Sequence, residues 1–270
     1  MKKIIIVPAL LLMVMMFATC KKDGEKQPIN VFSVEDDITL GKQVRDWIEN
    51  PDSSGMIILD ISAYPEAYEH LFRIRDYILK SDKVRYKDKF EWHTRIIHDD
   101  NTLNAFATPG GYIYVYTGLI KYLQHEDHFA GVMGHEIAHS DRRHSTNMLS
   151  KAYGWSLLFD VVFGKDPNAI KQISQGLMSL SFSRANESEA DEYSVKYLCQ
   201  NPAKYEADGT AGFFQRLIDE GQSGSSPEFL STHPSPPNRV EEIKKKAEEL
   251  GCDTELKSPD SWQQFKNSLP

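Results

Sequence analysis

Phe129-Ala130-Gly131-Val132-Met133-Gly134-His135-Glu136-Ile137-Ala138-His139 is the stretch on which the reading of this 270-residue chain turns. Residues four apart on an α-helix differ by about 40° in azimuth and one turn in height, so His135 and His139 can direct their imidazoles at one point. Glu136 lies about 100° around the helix from His135, offset from that point, where a carboxylate can hold a metal-activated water and take its proton. The trio offers two zinc ligands and a base. Chance produces such a three-position match in roughly one chain in fifty of this composition, so the surroundings have to decide. Phe129, Val132, Met133, Ile137 and Ala138 make the helix apolar, and charged groups there cost free energy unless they have a task. Gly131 and Gly134 each weaken the helix by about 1 kcal/mol relative to Ala, which points to close packing, to room beside a metal, or to fraying.

A catalytic zinc needs a third protein ligand and an open position. A metzincin would carry Gly and His three and six residues after the second histidine; Arg142 and Ser145 stand there instead. The third ligand must come from elsewhere. Ser183-Arg184-Ala185-Asn186-Glu187-Ser188-Glu189-Ala190-Asp191 puts Glu187 and Asp191 at i and i+4 on one helical face. Glu187 can ligate while Asp191 orients a ligand histidine. Glu189 and Glu192 belong to the same run, so a solvated acidic helix is the competing reading.

Outward from this centre, apolar residues recur at helical spacing over Thr39 to Glu49, Pro65 to Ser81, Glu126 to Leu149, Ala169 to Phe182, Arg184 to Leu198, Gly212 to Asp219 and Asn238 to Leu250. Phe90 to His98, Asn104 to Thr108 and Tyr112 to Tyr116 are rich in aromatic and β-branched residues, and Pro109-Gly110-Gly111 turns the chain between the last two. The expected fold is α+β and mostly helical, one domain over 36–270 with a small antiparallel sheet. A hydrophobic fraction of 40% supports one sizeable core. The net charge of −8 argues against nucleic acid as a partner.

The N-terminus reads as a targeting segment. Lys2 and Lys3 precede an apolar run from Ile4 to Ala18 that ends at Cys20, too short to cross a bilayer as a helix. It resembles a bacterial lipoprotein signal over residues 1–19, with Cys20 as the lipidated residue and 20–35 as a polar tether. Cys199 and Cys252 remain, either bridged or as buried thiols. No CxxC pair exists, which excludes a cysteine zinc ribbon.

HEIAH at 135–139, SRANESEAD at 183–191, NAFATPGGYIYVYTGLI at 104–120 and THPSPPNRV at 232–240 together resemble the HExxH plus ExxxD gluzincin zinc metallopeptidases of the CAAX prenyl protease, HtpX and BepA type. The resemblance runs from about residue 90 to 245. It implies a zincin-like metalloprotease domain with one Zn(2+) per chain, held by His135, His139 and Glu187, with Glu136 as general base and Asp191 behind a ligand. It puts His233 near the metal, as oxyanion stabiliser or fourth ligand at rest; a loop histidine packed on Pro234 and Pro236 is the alternative. It also implies that the strand at Asn104 and Ala105 offers backbone groups to an extended or unfolded polypeptide. The membrane helices of the prenyl protease and HtpX have no counterpart, since Trp155 to Phe163 spans nine residues and contains Asp160. Tyr153 to Ser181, between the two metal-bearing helices, reads as a lid or as a helical hairpin completing the core. The expected function is a zinc-dependent endopeptidase acting on misfolded or unassembled envelope proteins, lipid-anchored on the periplasmic side of a bacterial envelope. A zinc-containing envelope chaperone or binding module with little proteolysis is the alternative.

Overall fold

The computed structural model describes residues 30–152, 167–221, 228–234, 238–257 and 259–270. The signal, Cys20 and most of the expected tether lie outside the described residues, as do Pro236 and positions 153–166 of the candidate lid.

Helix α1, Val34–Ile48, begins five residues before the expected Thr39 because Ser33 and Asp36 cap it reciprocally. That exchange satisfies two backbone donors at the helix start. Leu40, Val44 and Ile48 recur every four residues and are buried. Asn30 to Ser33, within the stretch expected as tether, already pack on the domain: Phe32 is buried and the Asn30 amide donates to Thr146 Oγ1. Short α2 (Pro51–Ser54) leads to α3 (Pro65–Leu79), which opens on proline and buries Leu71, Ile74 and Ile78.

Strands β1 (Thr94–Ile97), β2 (Ala105–Thr108) and β3 (Tyr112–Tyr116) form one sheet in the order β1-β3-β2. The β2–β3 hairpin is antiparallel, turned by Gly110 and Gly111 at φ +81° and +90°, but β1 pairs with β3 in parallel. The sheet is therefore mixed, which corrects the antiparallel expectation. β3 takes the middle because Tyr-Ile-Tyr-Val-Tyr is apolar on both faces, as suits a strand covered on both sides. Tyr112, Tyr114 and Tyr116 join a cluster with Leu40, Val44 and Ile48 of α1. Ile113 and Val115 face the other way, into the main core. Ile58 bridges Ile97 and covers the outer edge of β1. No described strand pairs with the outer edge of β2.

After α4 (Thr117–Tyr122) comes α5 (Glu126–Asp141), the central helix, with fifteen of its sixteen residues buried. A helix covered all round packs on several neighbours, here the sheet, α3, α8 (Arg184–Leu198) and α9 (Gly209–Asp219). Gly131 meets the backbone of Gly209 and Thr210 at the start of α9, and Gly134 meets the Ser194 side chain of α8. Close packing is thus the structural reason for both glycines. The helix expected to continue to Leu149 breaks at Arg143, a non-glycine residue at φ +61°. Its guanidinium bonds Asp37 and the carbonyls of Phe32 and Ser33, which holds the left-handed conformation in place. Residues 144–152 then form α6.

Helix α7 (Pro167–Met178) sends Ile173 and Leu177 into the cluster shared by α1 and the sheet. Helices α10 (Glu228–Thr232), α11 (Arg239–Glu249) and α12 (Ser261–Asn267) follow, with α11 packed on α8 and α9. Cys199 and Cys252 are disulfide-bonded, joining the end of α8 to the residues after α11. Among the described residues no helix is long and apolar enough to cross a membrane.

Candidate metal centre

Helices α5 and α8 lie side by side, so the HEIAH face of one meets the acidic face of the other. Glu187 is buried, which settles that this face of α8 is not a solvated one. His135 Nε2 and His139 Nε2 are 2.9 Å apart, and Glu187 Oε1 is 3.3 Å from His139 Nε2. His233, just past α10, brings Nδ1 to 3.2 Å from Glu187 Oε1 and 3.3 Å from His135 Nε2. The four donor atoms of His135, His139, Glu187 and His233 lie within 4.8 Å of one another and all four residues are buried. A tetrahedral ion with bonds of about 2.0–2.1 Å separates its donors by about 3.4 Å. The observed separations are close to that, so the residues fit a metal. His233 therefore points at the donors, with its ring stacked on Phe229 at 4.4 Å between centroids.

The remaining nitrogens of the two helix histidines are engaged behind the cluster. His135 Nδ1 lies 2.8 Å from Asp191 Oδ1, and His139 Nδ1 lies 3.0 Å from His144 Nδ1. Arg239, the first residue of α11, is buried and donates through Nε and Nη2 to both Asp191 oxygens at 2.5 and 2.8 Å. Its Nη2 is also 2.9 Å from Glu187 Oε2, and its guanidinium lies 4.0 Å over the Phe214 ring. One buried cation thus serves two buried carboxylates. Burial pushes the Asp191 and Glu187 carboxyls up, but Arg239 for Asp191 and the surrounding histidines for Glu187 outweigh it and hold both below the ordinary range. Burial likewise pushes His139 well down, while Asp191 and Glu187 outweigh burial at His135 and hold it above its usual value.

Glu136 differs from the other acids. Its two oxygens are buried and make no hydrogen bond, and His233 Nε2 is 3.5 Å from Oε1. Burial, reinforced by the Glu187 charge, pushes its carboxyl up to about 7. A group with that value near neutrality can both accept and release a proton.

The β2 ladder refines the reading of Asn104 and Ala105. The Asn104 carbonyl accepts from the Tyr116 amide, so it faces β3 rather than the open edge. Backbone groups alternate along an antiparallel ladder, which turns Ala105 and Ala107 outward. Of these, the Ala105 amide already donates to the Asn104 side chain. The Ala107 amide faces Glu136. Ala107, Arg239 and His144 are the neighbours of the site that motif reading passed over. Arg239 lies inside THPSPPNRV, where nothing local marks it as the partner of carboxylates on α8, and His144 carries no signal beyond lying five residues after His139.

Two histidines four apart with a glutamate between them on one helix, facing a glutamate and an aspartate one turn apart on a second, match the architecture of a gluzincin-type metallopeptidase domain. The chain belongs to peptidase family M48, whose sequence profile matches residues 72–247. Over 162 residues it is 33% identical to the putative beta-barrel assembly-enhancing protease of Vibrio cholerae, covering 55% of this chain and 33% of that protein. It is 33% identical over 159 residues to the mitochondrial metalloendopeptidase OMA1 of Schizosaccharomyces pombe, covering 57% and 46%. The beta-barrel assembly-enhancing protease of Escherichia coli is 29% identical over 176 residues, covering 60% and 36%. The chain thus spans between a third and a half of the length of these relatives.

Proposed function

We propose that the domain, expected over 36–270 and extended by the packing of residues 30–35, is a zinc-dependent endopeptidase. His135, His139 and Glu187 hold the ion, and Asp191 orients His135. The carrying observation is the converging set of buried donors beside an unbonded, buried Glu136. Nitrogen and carboxylate donors at tetrahedral spacing suit zinc. When bound, the metal supplies Lewis acidity to a peptide carbonyl and to the attacking water. Glu136 takes a proton as the water oxygen bonds the carbonyl carbon, then delivers it to the leaving amine as the carbon–nitrogen bond breaks. The edge of β2 that no described strand pairs with, where the backbone groups of Ala105 and Ala107 turn away from β3, supports main-chain pairing with an extended polypeptide. The names of the bacterial relatives support misfolded or unassembled envelope proteins as substrates. A signal over 1–19, a lipid on Cys20 and a tether would hold the domain at the periplasmic side of a membrane.

Zinc content and casein cleavage of wild type and Glu136→Gln test this reading. The expectation is stoichiometric zinc in both and a loss of about 10²–10⁴-fold in cleavage. Equal cleavage by both would remove Glu136 from its role, and zinc retained at full affinity in Glu187→Ala would remove Glu187 from the ligand set.

One observation favours a second reading, a zinc-containing chaperone or binding module with little proteolysis: His233 completes a four-donor, fully buried set, and closed sets are the habit of structural zinc. In the protease reading His233 is a resting ligand or oxyanion stabiliser. A rise in cleavage on His233→Ala marks it as a resting ligand, and a fall marks it as an oxyanion stabiliser. Suppression of client aggregation with no fragments, before and after that substitution, supports the chaperone.

A further inference from the structure

The two helix histidines are backed by different chemistry. His135 leans on Asp191, an anion that Arg239 steadies. Among the described residues, the atom facing His139 Nδ1 is the Nδ1 of another imidazole, His144, at 3.0 Å. Both nitrogens cannot donate, and both cannot accept. Beyond His144, its Nε2 lies 3.2 Å from Glu189 Oε2, and Glu189 Oε1 accepts from Arg142 Nε at 2.8 Å.

Only one arrangement of protons satisfies this row together with a metal. A carboxylate accepts and does not donate, so the His144 proton belongs on Nε2, facing Glu189. His144 Nδ1 is then a lone pair, and His139 must supply the proton between the rings. That leaves His139 Nε2 as a lone pair directed at His135, Glu187 and His233. The opposite tautomers would set a His144 lone pair against the Glu189 carboxylate and a proton on His139 Nε2 inside the donor cluster.

The break after α5 makes the row possible. On an unbroken helix, residue 144 would stand about 140° around from residue 139 and could not face it. The left-handed Arg143 restarts the chain so that His144, 1% exposed, returns beside His139 with ring centroids 4.9 Å apart.

We infer that His144 and Glu189 are positioning residues that fix His139 in its metal-binding tautomer, a role distinct from that of Asp191 at His135. The inference rests on the proposed metal reading. Partners that orient a ligand histidine typically carry about 10–100-fold in metal affinity. The test is zinc affinity by chelator competition, with the absorption spectrum of cobalt-loaded protein and the melting temperature of the metal-free form. His144→Leu, which keeps bulk without an acceptor, is expected to lose about 10–100-fold in affinity and to shift the cobalt spectrum. His144→Asn places a carbonyl oxygen near the old Nδ1 and is expected to recover most of the loss. Wild-type affinity in His144→Leu overturns the relay, as does equal weakening of the Leu and Asn variants, which would mean packing alone. Should His144→Leu fail to fold, Glu189→Ala at a partly exposed position carries the test: a loss of affinity upholds the relay and an unchanged affinity overturns it. Absence of zinc from the wild type overturns the metal reading and the relay together, whereas zinc in wild type with no effect of either variant overturns the relay only.

Discussion

Gly131→Ala sets two known magnitudes against each other. In an exposed helix the change would stabilise by about 1 kcal/mol. Here the added Cβ would overlap the Thr210 amide nitrogen and the Gly209 carbonyl carbon, and would stand 2.8 Å from Thr210 Cα. All three are backbone atoms at the start of α9, so no rotamer relieves the overlap. The end of α9 has to move away from α5, disturbing the buried Ala211, Phe213 and Phe214 that follow. Overpacking of this kind costs about 1–3 kcal/mol and more when backbone must shift, so the net loss is about 2 kcal/mol. At 2–4 °C per kcal/mol for a domain of this size, the melting temperature falls by about 4–8 °C. Gly134→Ala is the internal comparison, because its Cβ meets Ser194 Oγ at 2.7 Å, the end of a side chain. Displacing that hydroxyl weakens its bonds to the Gly131 carbonyl and Thr210, about 1 kcal/mol, which the helix gain of about 1 kcal/mol offsets. Urea and thermal unfolding of the metal-free proteins measure both. A Gly131→Ala protein as stable as wild type, or equal shifts for the two variants, would refute the packing argument.

Arg239→Met leaves Glu187 and Asp191 buried without their shared cation, and the metal-free protein should lose about 3–5 kcal/mol; added zinc should restore part of it, read as the shift in denaturation midpoint with and without the ion. At Glu126, buried on α5, burial raises the carboxyl, but hydrogen bonds from Arg73, Ser261 and Tyr205 outweigh it and the folded value lies below the ordinary one. Its stabilisation is therefore full above the unfolded value of about 4.3 and is lost as pH falls through the lower folded value. Unfolding free energies at a series of pH values should show wild type and Glu126→Gln converging on acidification, and a constant gap would contradict the assignment. Removing the Cys199–Cys252 bond, which spans a sequence separation of 53, should cost about 4 kcal/mol on the chain-entropy account, measured by denaturation of the Cys199→Ser/Cys252→Ser double variant.

The pairing of His135 with His139, and of Glu187 with Asp191, was legible because its geometry is local, whereas His233 reaches the cluster from a distant segment. Both pairs stand at i and i+4, and a helix brings such residues together whatever the rest of the chain does. The hairpin through Gly110 and Gly111 was legible for the same reason. The direction of β1 was not: β3 is apolar on both faces and so suits the middle of the sheet, but that β1 joins it in parallel depends on contacts distant in sequence. The break at Arg143 was hidden too, since helical periodicity runs straight through it and the deciding partner, Asp37, lies 106 residues away. Phase along β2 explains Asn104, because one step along a strand exchanges groups that face a neighbour with groups that face outward. Arg239 was illegible as a partner because its two carboxylates come from another helix.

The Cys199–Cys252 bond closes a covalent ring that contains His233 and Arg239 and leaves HEIAH and Glu187 outside. Cleavage of any single peptide bond from 200 to 251 opens that ring without freeing a piece, so the two fragments travel as one molecule until the cystine is reduced. For a member of a peptidase family, whose own chain is also a polypeptide, this changes what a nick means. A single cut there leaves His233 and Arg239 tethered to the helix that carries Glu187 and Asp191, and losing them takes a second event, a reduction or another cut on their other side.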